Sequence, residues 1–253
     1  MTASHEARIA RAAELARTHA AARELLNFYR ELAEFQGSIY DYLRSNGRTD
    51  MADLLSYFPG LIKLVRRAGP QPLADFGAEH LQSPAAQQKL LITEWEDPKR
   101  TTSVHACAHF YARVLLQPYA EFLASRGVAS VAATTAICPF CSARPVAAVL
   151  RGEGEGAKRW LLCSLCSTEW EFRRVLCPNC GEEDRDQLPR YAAPDFGHVR
   201  VEACDRCKAY IKSVDLTRDG HAVPVVDELA TVALNLWAEE RGYTKLEPNL
   251  LGL

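Results

Sequence analysis

The sequence predicts a multidomain α+β fold, with an all-helical N-terminal domain, two tandem cysteine-based β modules and a C-terminal helix. Before residue 136 the apolar residues recur at helical spacing, and from 136 to 215 short β-compatible runs alternate with cysteine pairs. A chain of 253 residues that is 48% hydrophobic can bury more than one core. We therefore expect domains at residues 1–135, 136–174, 175–217 and 218–253.

The first strong helical pattern is one wide apolar stripe along an amphipathic helix, and the preceding alanine-rich stretch predicts that this helix extends upstream. Asn46-Gly47 predicts its end, because glycine adopts the backbone conformation that terminates helices. The stripe is formed by Leu25, Phe28, Tyr29, Leu32, Phe35, Ile39, Tyr42 and Leu43.

Capping residues and prolines divide the rest of the helical domain. Thr49 or Asp50 is expected to cap a second helix, which Pro59-Gly60 then ends. Ser83-Pro84 predicts another helix start, because proline is tolerated at the first helical position. A long helix follows from about residue 103, and Pro118 is expected to kink or break it.

The second half of the chain reads as short strands followed by one helix. A polar loop at Gly152–Gly156 lies between two β-compatible runs and predicts the tip of a hairpin. The last helix is expected to begin at Asp227, its cap, and to end at Gly242. The leucine-rich tail is expected to pack back on the protein. The predicted strands are Pro145–Leu150, Arg159–Leu162, Glu169–Leu176, His198–Glu202 and Tyr210–Val214.

Eight of the nine cysteines form four Cys-x-x-Cys pairs, a spacing that directs two thiolates at one ion. The stretch of chain between the first and second pairs is about as long as a β-hairpin, and so is the stretch between the third and fourth pairs. This spacing favours sequential grouping into two four-cysteine metal sites. Interleaved grouping is an open alternative. Disulfides would need an oxidising compartment, which nothing in the sequence indicates. The predicted ligands are Cys138, Cys141, Cys163 and Cys166 in the first ribbon, and Cys177, Cys180, Cys204 and Cys207 in the second.

Four thiolates accept zinc or a single iron, so the ligand set does not choose the metal. Cys-Pro-x-Cys-Gly is typical of a rubredoxin-like knuckle, in which glycine relieves strain at a positive φ. Only Cys180 is followed by glycine here, because Ser142, Ser167 and Lys208 occupy the equivalent places. Four protein ligands leave no open coordination position, which favours a structural or electron-transfer role over Lewis-acid catalysis.

Other histidines, cysteines and tryptophans are interpreted as structural. His105, Cys107 and His109 do not all share one helix face, so they are expected to be packing or surface residues. We interpret His198 and His221 as surface residues. Trp160 and Trp170 flank the Cys163 knuckle and are expected to shield it from water.

The bulk charge and hydropathy argue against some function classes. The formal charge is −2, and it would fall to about −6 with eight thiolates around two divalent ions. Such a protein is a poor non-specific binder of nucleic acid, because that binding comes mainly from phosphate neutralisation. No secretory signal and no membrane insertion are expected, since no apolar run is long enough. We therefore expect a cytoplasmic protein.

The C-terminal half resembles the FdhE family of formate dehydrogenase accessory proteins. The resemblance spans roughly residues 136–245, and Leu116–Tyr119 also resembles the family. The segments that carry it are Leu162–Trp170, Arg174–Cys180, Val201–Lys212 and Asp227–Tyr243.

The resemblance implies a cytoplasmic assembly factor that is not an enzyme and has no catalytic residues. It would contact the catalytic subunit of formate dehydrogenase and assist its maturation. It also implies rubredoxin-like iron, two ions per chain with the cysteine pairs as ligands, and zinc is the alternative occupant. A homodimer is left open. Two other functions are also left open: a zinc-ribbon nucleic-acid binder and a rubredoxin-like electron carrier.

Overall fold

The computed structural model describes residues 4–47, 50–98, 106–127, 135–154 and 156–253. Its N-terminal part is helical, a seven-stranded sheet with two clusters of four cysteines follows, and helices cover the C-terminal end. The predicted fold class is confirmed, whereas the four domain boundaries stay a prediction. The helices before the sheet are α1 (His5–Thr18), α2 (Arg23–Asn46), α3 (Phe58–Ala68), α4 (Gln71–His80), α5 (Pro84–Glu96) and α6 (Ala106–Ser125).

The alanine-rich stretch forms its own helix α1 and does not extend α2 upstream as predicted. A short 3₁₀ turn at Ala20–Ala22 separates the two helices, so that α1 packs back against α2. Ser4 caps α1 by accepting a hydrogen bond from the Ala7 backbone N–H at 3.2 Å. Helix α2 ends at Asn46, where Gly47 has a φ of 62°, as predicted.

The segment after Gly47 differs from its prediction in two ways. Asp50 is the cap, accepting from the Ala52 N–H at 2.8 Å, but it opens the 3₁₀ helix Met51–Tyr57 instead of an α-helix. Thr49 lies outside the described residues. Pro59 lies in the first turn of α3, where its missing N–H has no helical partner to lose. The Pro-Gly pair therefore belongs to the start of a helix.

Helix α5 begins as predicted, with Ser83 accepting from the Ala86 N–H. Helix α6 runs through Pro118 without a break. Proline has no N–H to donate to the carbonyl of Val114, four residues earlier. The buried Gln36 side chain of α2 donates to that carbonyl at 3.0 Å instead. A contact between helices thus replaces the missing bond.

The two cysteine modules share one sheet, whose strands are β1 (Pro145–Glu153), β2 (Gly156–Cys163), β3 (Glu169–Glu171), β4 (Arg190–Ala192), β5 (Val199–Ala203), β6 (Ala209–Asp215) and β7 (Thr244–Lys245). The strand order is β3-β2-β1-β6-β5-β4, and β7 pairs with the start of β6. Strands β1 and β2 form the predicted hairpin, and β1 runs parallel to β6, which joins the modules. The predicted strand at 169–176 is regular only over its first three residues.

The C-terminal region contains two helices, α7 (Pro224–Ala230) and α8 (Val232–Glu240), where one was predicted. Asp227 lies inside α7 and is not its cap. From this position its Oδ2 atom accepts a hydrogen bond from the backbone N–H of Val223. Helix α7 contacts α1, which closes the helical part over the sheet. Leu246 and Leu250 are buried, so the tail packs back as predicted. Within the described residues, no helix is both long and apolar enough to span a bilayer.

Candidate metal centres

The eight paired cysteines form two clusters, in the sequential grouping that the gaps predict and not in the interleaved one. Within each cluster the four Sγ atoms all lie within 4.8 Å of one another. In the first cluster, Sγ–Sγ distances are 3.5 Å for Cys138–Cys166 and 3.3 Å for Cys141–Cys163. In the second, Cys177–Cys207 and Cys180–Cys204 are each 3.7 Å apart.

These separations fit a tetrahedral metal–thiolate centre. With metal–sulfur bonds of ~2.3 Å, the edge of a regular tetrahedron is about 3.8 Å. The cysteines of both clusters are free thiols, so none of the eight is consumed in a disulfide. Two metal ions per chain could therefore be held, and four sulfur donors suit either zinc or iron. That these thiols are metal ligands stays a prediction.

All four knuckles share one backbone turn, although only one of them contains glycine after its second cysteine. Gly181 has a φ of 75°, and Ser142, Ser167 and Lys208 have φ values of 62°, 54° and 57°. The first cysteine of every pair also donates its N–H to the carbonyl five residues later, as from Cys138 to Ala143 at 2.9 Å. The missing glycines therefore change local strain and leave the turn unchanged.

Backbone N–H groups of the knuckles point at cysteine sulfurs. Leu165 and Cys166 donate to the Cys163 sulfur at 3.3 and 3.4 Å, and Asn179 donates to Cys177 at 3.4 Å. Burial raises the pKa of the Cys163 thiol and of the Cys177 thiol. These two thiols would thus ionise only with a cation close by, which is the condition that metal binding supplies.

The two clusters differ in their exposure to water. In the first, Cys138, Cys163 and Cys166 are buried in the same apolar core as the helices, together with Trp170. Trp160 packs instead in a separate small cluster against Val146 and Leu162, so the two tryptophans do not share a role. In the second cluster Cys180 is exposed. Solvent access to the second cluster is therefore greater.

A buried polar network ties the first cluster to the helical part. Ser167, directly after Cys166, donates its hydroxyl to Glu121 of α6. Arg8 of α1 donates to the same carboxylate at 2.8 Å and to the Ser167 hydroxyl at 3.2 Å. A glycine in place of Ser167 would relieve the strain of the positive φ at this position but would lose both hydrogen bonds. The sequence pattern did not reveal this network, although Arg8 and Glu121 occupy buried faces of their helices.

A second network reaches the same knuckle through Ser164. Arg113 of α6, which is 2% exposed, donates to the Ser164 hydroxyl at 2.9 Å and to Glu94 of α5 at 2.6 Å. It also lies 3.4 Å from a carboxylate oxygen of Glu247 in the tail. Both serines of the Cys163 knuckle are thus bonded to charged helical side chains, and the first cluster cannot shift without disturbing them.

The interpretation of His198 as a surface residue is wrong. Its Nε2 atom lies 2.7 Å from Asp227 Oδ1, and its side chain is 19% exposed. His198, Asp219 and Asp227 lie close enough to hold an ion. However, the Arg11 guanidinium already contacts both carboxylates, at 2.7 and 2.6 Å. These contacts are ion pairs that join α1 to α7 and to the loop before α7.

The remaining candidates lie apart from the clusters. His221 is exposed, as expected. His109 contacts Glu94 through Nδ1 at 3.2 Å. The Cys107 sulfur lies 3.8 Å from the carbonyl oxygen of Pro72. His105 lies outside the described residues.

Several known proteins resemble this chain in sequence or in structure. Family models described as "FdhE, central domain" and "FdhE, C-terminal domain" match residues 137–174 and 175–251. "Protein FdhE homolog" of Aquifex aeolicus (strain VF5) is 31% identical over 209 residues, which covers 80% of this chain and 71% of that protein. The Pseudomonas aeruginosa protein of the same name is 36% identical over 124 residues, only 39% of its own length. The crystal structure of the FdhE protein from Pseudomonas aeruginosa superposes with a TM-score of 0.71 and 22% identity, over 98% of this chain and 95% of that one.

Proposed function

Because this chain belongs to the FdhE family, we propose that it is an accessory protein for formate dehydrogenase. In this proposal it binds the catalytic subunit and assists its assembly and maturation. The observation that carries the proposal is the family membership across both the central and the C-terminal regions. A cytoplasmic location is part of the proposal, because eight free thiols require a reducing compartment.

We propose that each four-cysteine cluster binds one metal ion and that the metal is iron, with zinc as the alternative. The ligands would be Cys138, Cys141, Cys163 and Cys166 for the first ion, and Cys177, Cys180, Cys204 and Cys207 for the second. Support comes from the Sγ separations and from the shared turn of the four knuckles. A bound metal would supply a rigid cross-link between the two knuckles of each cluster.

A non-catalytic role agrees with the chemistry of the clusters. Each offers four thiolates, which complete a tetrahedron and leave no position for a substrate. The first cluster is also bonded to the helices through Ser164 and Ser167. A preorganised surface spanning sheet and helices lowers the ordering cost of binding a partner protein.

The partner proposal can be tested in the native host. Deletion of the gene should lower formate dehydrogenase activity without changing transcription of its subunits, and the tagged chain should retain the catalytic subunit. Complementation with Cys163→Ser should fail, whereas the matched control Cys107→Ser, outside both clusters, should restore activity. Full activity in the deletion strain, together with no captured catalytic subunit, would refute the accessory role.

The metal proposal has its own measurement. Elemental analysis of protein purified without oxygen should find two ions per chain, with the absorption of a thiolate–iron centre if the metal is iron. Cys138→Ser should remove one ion, and the double variant Cys138→Ser/Cys177→Ser should remove both. A double variant that still binds one ion would contradict the sequential ligand sets.

The exposure of Cys180 favours one second candidate, a rubredoxin-like electron carrier, because electron transfer requires a metal centre near the surface. Voltammetry of the iron-loaded chain would detect a reversible one-electron couple. Loss of that couple in Cys180→Ser, together with rapid reduction of the wild type by a cellular donor, would favour this candidate over the accessory role.

A further inference from the structure

Helices α1 and α2 are joined by a hinge of three alanines, a sequence that by itself favours a helix. Residues 4–36 contain neither glycine nor proline, and alanine has the highest helix propensity of all residues. Nevertheless, Ala20–Ala22 form a 3₁₀ turn, and α1 folds back against α2. Local preference and tertiary structure therefore conflict at this hinge.

The two helix ends at the hinge lack the usual caps. The N-cap residue of α2 is Ala22, which has no side chain that could accept from the first turn. Helix α1 is followed by His19, with a φ of −107°, and not by the left-handed residue that commonly ends helices. The described residues give the N–H groups of Ala20 and Ala21 no backbone acceptor. A continuous helix would bond both groups to carbonyls four residues earlier.

One side-chain contact stabilises the turn itself. Arg23, the first residue of α2, donates from Nε to the carbonyl of Ala16 at 3.2 Å. This carbonyl lies in the last turn of α1, where acceptors have no helical N–H partner. In a continuous helix the Ala20 N–H would bond to the same carbonyl. The contact from Arg23 therefore favours the folded-back form over the continuous helix.

The buried face of α1 is rich in charge. Arg8 pairs with Glu121 of α6 at 2.8 Å, and Arg11 pairs with Asp227 of α7 at 2.6 Å. Two nitrogens of this face, His5 Nε2 and Arg8 Nε, have no hydrogen-bond partner among the described residues. The buried residues of α1 are His5, Arg8, Arg11, Ala12, Leu15 and Ala16. Because buried ion pairs add little net stability, α1 detaches at a lower cost than a helix with an apolar face.

We propose that two copies of this chain exchange α1 and thereby form a dimer. In each copy the hinge becomes helical, so that one straight helix runs from His5 to Asn46. Helix α1 then docks on the other copy, in the place that the other α1 has left. Its contacts with α6 and α7 do not involve the hinge, so the second copy can make all of them, and the exchange costs little. The occupant is a second copy because it carries both arginines one turn apart, as the two buried carboxylates require. The inference goes beyond the accessory role and does not depend on it.

The test measures the association of the full chain loaded with zinc. Concentrated protein is equilibrated in mild urea, which lets α1 detach, and is then returned to buffer. Light scattering should find a dimer whose fraction rises with protein concentration. Hydrogen exchange followed by NMR should be at least about tenfold slower at Ala20 and Ala21 in the dimer than in the monomer, because only the continuous helix bonds these N–H groups.

Proline at position 20 distinguishes the two conformations. Ala20 is exposed and is the first residue of the 3₁₀ turn, where proline is tolerated and no hydrogen bond is lost. Inside a continuous helix the same proline would remove a hydrogen bond and clash with the preceding turn. Ala20→Pro should therefore raise the Kd of the dimer more than about 100-fold, since each dimer contains two hinges. The matched control Ala20→Ser keeps the N–H and should raise the Kd less than about tenfold.

A second variant acts in the opposite direction and decides the outcome if Ala20→Pro does not fold. Arg23→Ala removes the contact that favours the turn, so it should lower the Kd of the dimer about tenfold. Its control, Arg17→Ala, removes the same charge from the last turn of α1 without removing that contact, and should leave the Kd unchanged.

Three results would overturn the inference. The first is a chain that stays monomeric at every concentration after equilibration in urea. The second is equal dimerisation of the folded Ala20→Pro and Ala20→Ser variants, or of Arg23→Ala and Arg17→Ala. The third is a dimer in which hydrogen exchange at Ala20 and Ala21 is as fast as in the monomer, which would show that the copies associate through their surfaces without exchanging α1.

Discussion

Replacing Glu121 with glutamine tests whether the helical part supports the first cysteine cluster. Glu121 and Arg8 form an ion pair at 2.8 Å, and their side chains are 7% and 4% exposed. The substitution leaves a buried guanidinium without a counter-charge, which typically costs about 3–5 kcal/mol. Glutamine can still accept from the Ser167 hydroxyl. We therefore expect a loss at the lower end of this range, about 3 kcal/mol in the free energy of unfolding.

The matched control is Glu31→Gln, which removes the same charge from a surface pair. Glu31 lies 2.6 Å from Arg67, whose side chain is 69% exposed, so the loss should stay below about 1 kcal/mol. Urea unfolding of the metal-loaded chain, followed by circular dichroism, gives both values. Because Ser167 follows Cys166 directly, Glu121→Gln should also speed release of metal from the first cluster and leave the second unchanged.

Two outcomes would refute this reasoning. Equal losses of stability for Glu121→Gln and Glu31→Gln would mean that the buried network does not contribute. Faster metal release from both clusters alike would mean that the variant loosens the whole protein. A double-mutant cycle with Ser167→Ala then separates the hydrogen bond from the ion pair, since coupled residues give non-additive losses.

Four further predictions concern other features of the molecule. Excess chelator should remove zinc in two phases, first from the second cluster, because one of its thiols is exposed. A zinc indicator measures the release, and a single rate would contradict this prediction. Burial lowers the pKa of Lys212 from 10.5 to about 8. Above pH 8 the unfolded chain therefore binds more protons than the folded chain, so the free energy of unfolding from urea titrations should rise by about 1.5 kcal/mol between pH 8 and pH 9.5. The Lys212→Met variant should not show this rise. Gln36→Met should cost about 1–3 kcal/mol by leaving the Val114 carbonyl unpaired, whereas Gln71→Met, at an exposed position, should be nearly neutral in the same assay. Ser142→Gly should raise the melting temperature, with a gain of about 1 kcal/mol, because glycine tolerates a positive φ.

Features that depend on a few neighbouring residues could be predicted from the sequence. The spacing within and between the cysteine pairs predicted two clusters and their grouping. Gly47 and Ser83 marked a helix end and a helix start, because capping uses side chains and φ values within one turn. The loop at Gly152–Gly156 predicted a hairpin for the same reason. The family resemblance also rested on local runs around the cysteines.

Local patterns misled where a distant residue changes the balance. Pro118 predicts a kink or break, but Gln36, 78 residues before Val114, supplies the missing hydrogen bond. Asp227 resembles a helix cap, but its carboxylate is needed inside α7 to pair with Arg11 and His198. Ser167 resembles a poor substitute for glycine until its hydrogen bonds to α1 and α6 are seen. Propensities of single residues cannot include such partners.

The sequence by itself determined the family, the fold class and the two sets of four thiols, because each is encoded in short-range spacing. Only the tertiary structure decided that β1 pairs with β6 to join both modules in one sheet. It also placed Arg8, 159 residues before Ser167, against the first cluster. Burial and electrostatic pairing act through space, so residues far apart in the chain acquire these roles only after folding.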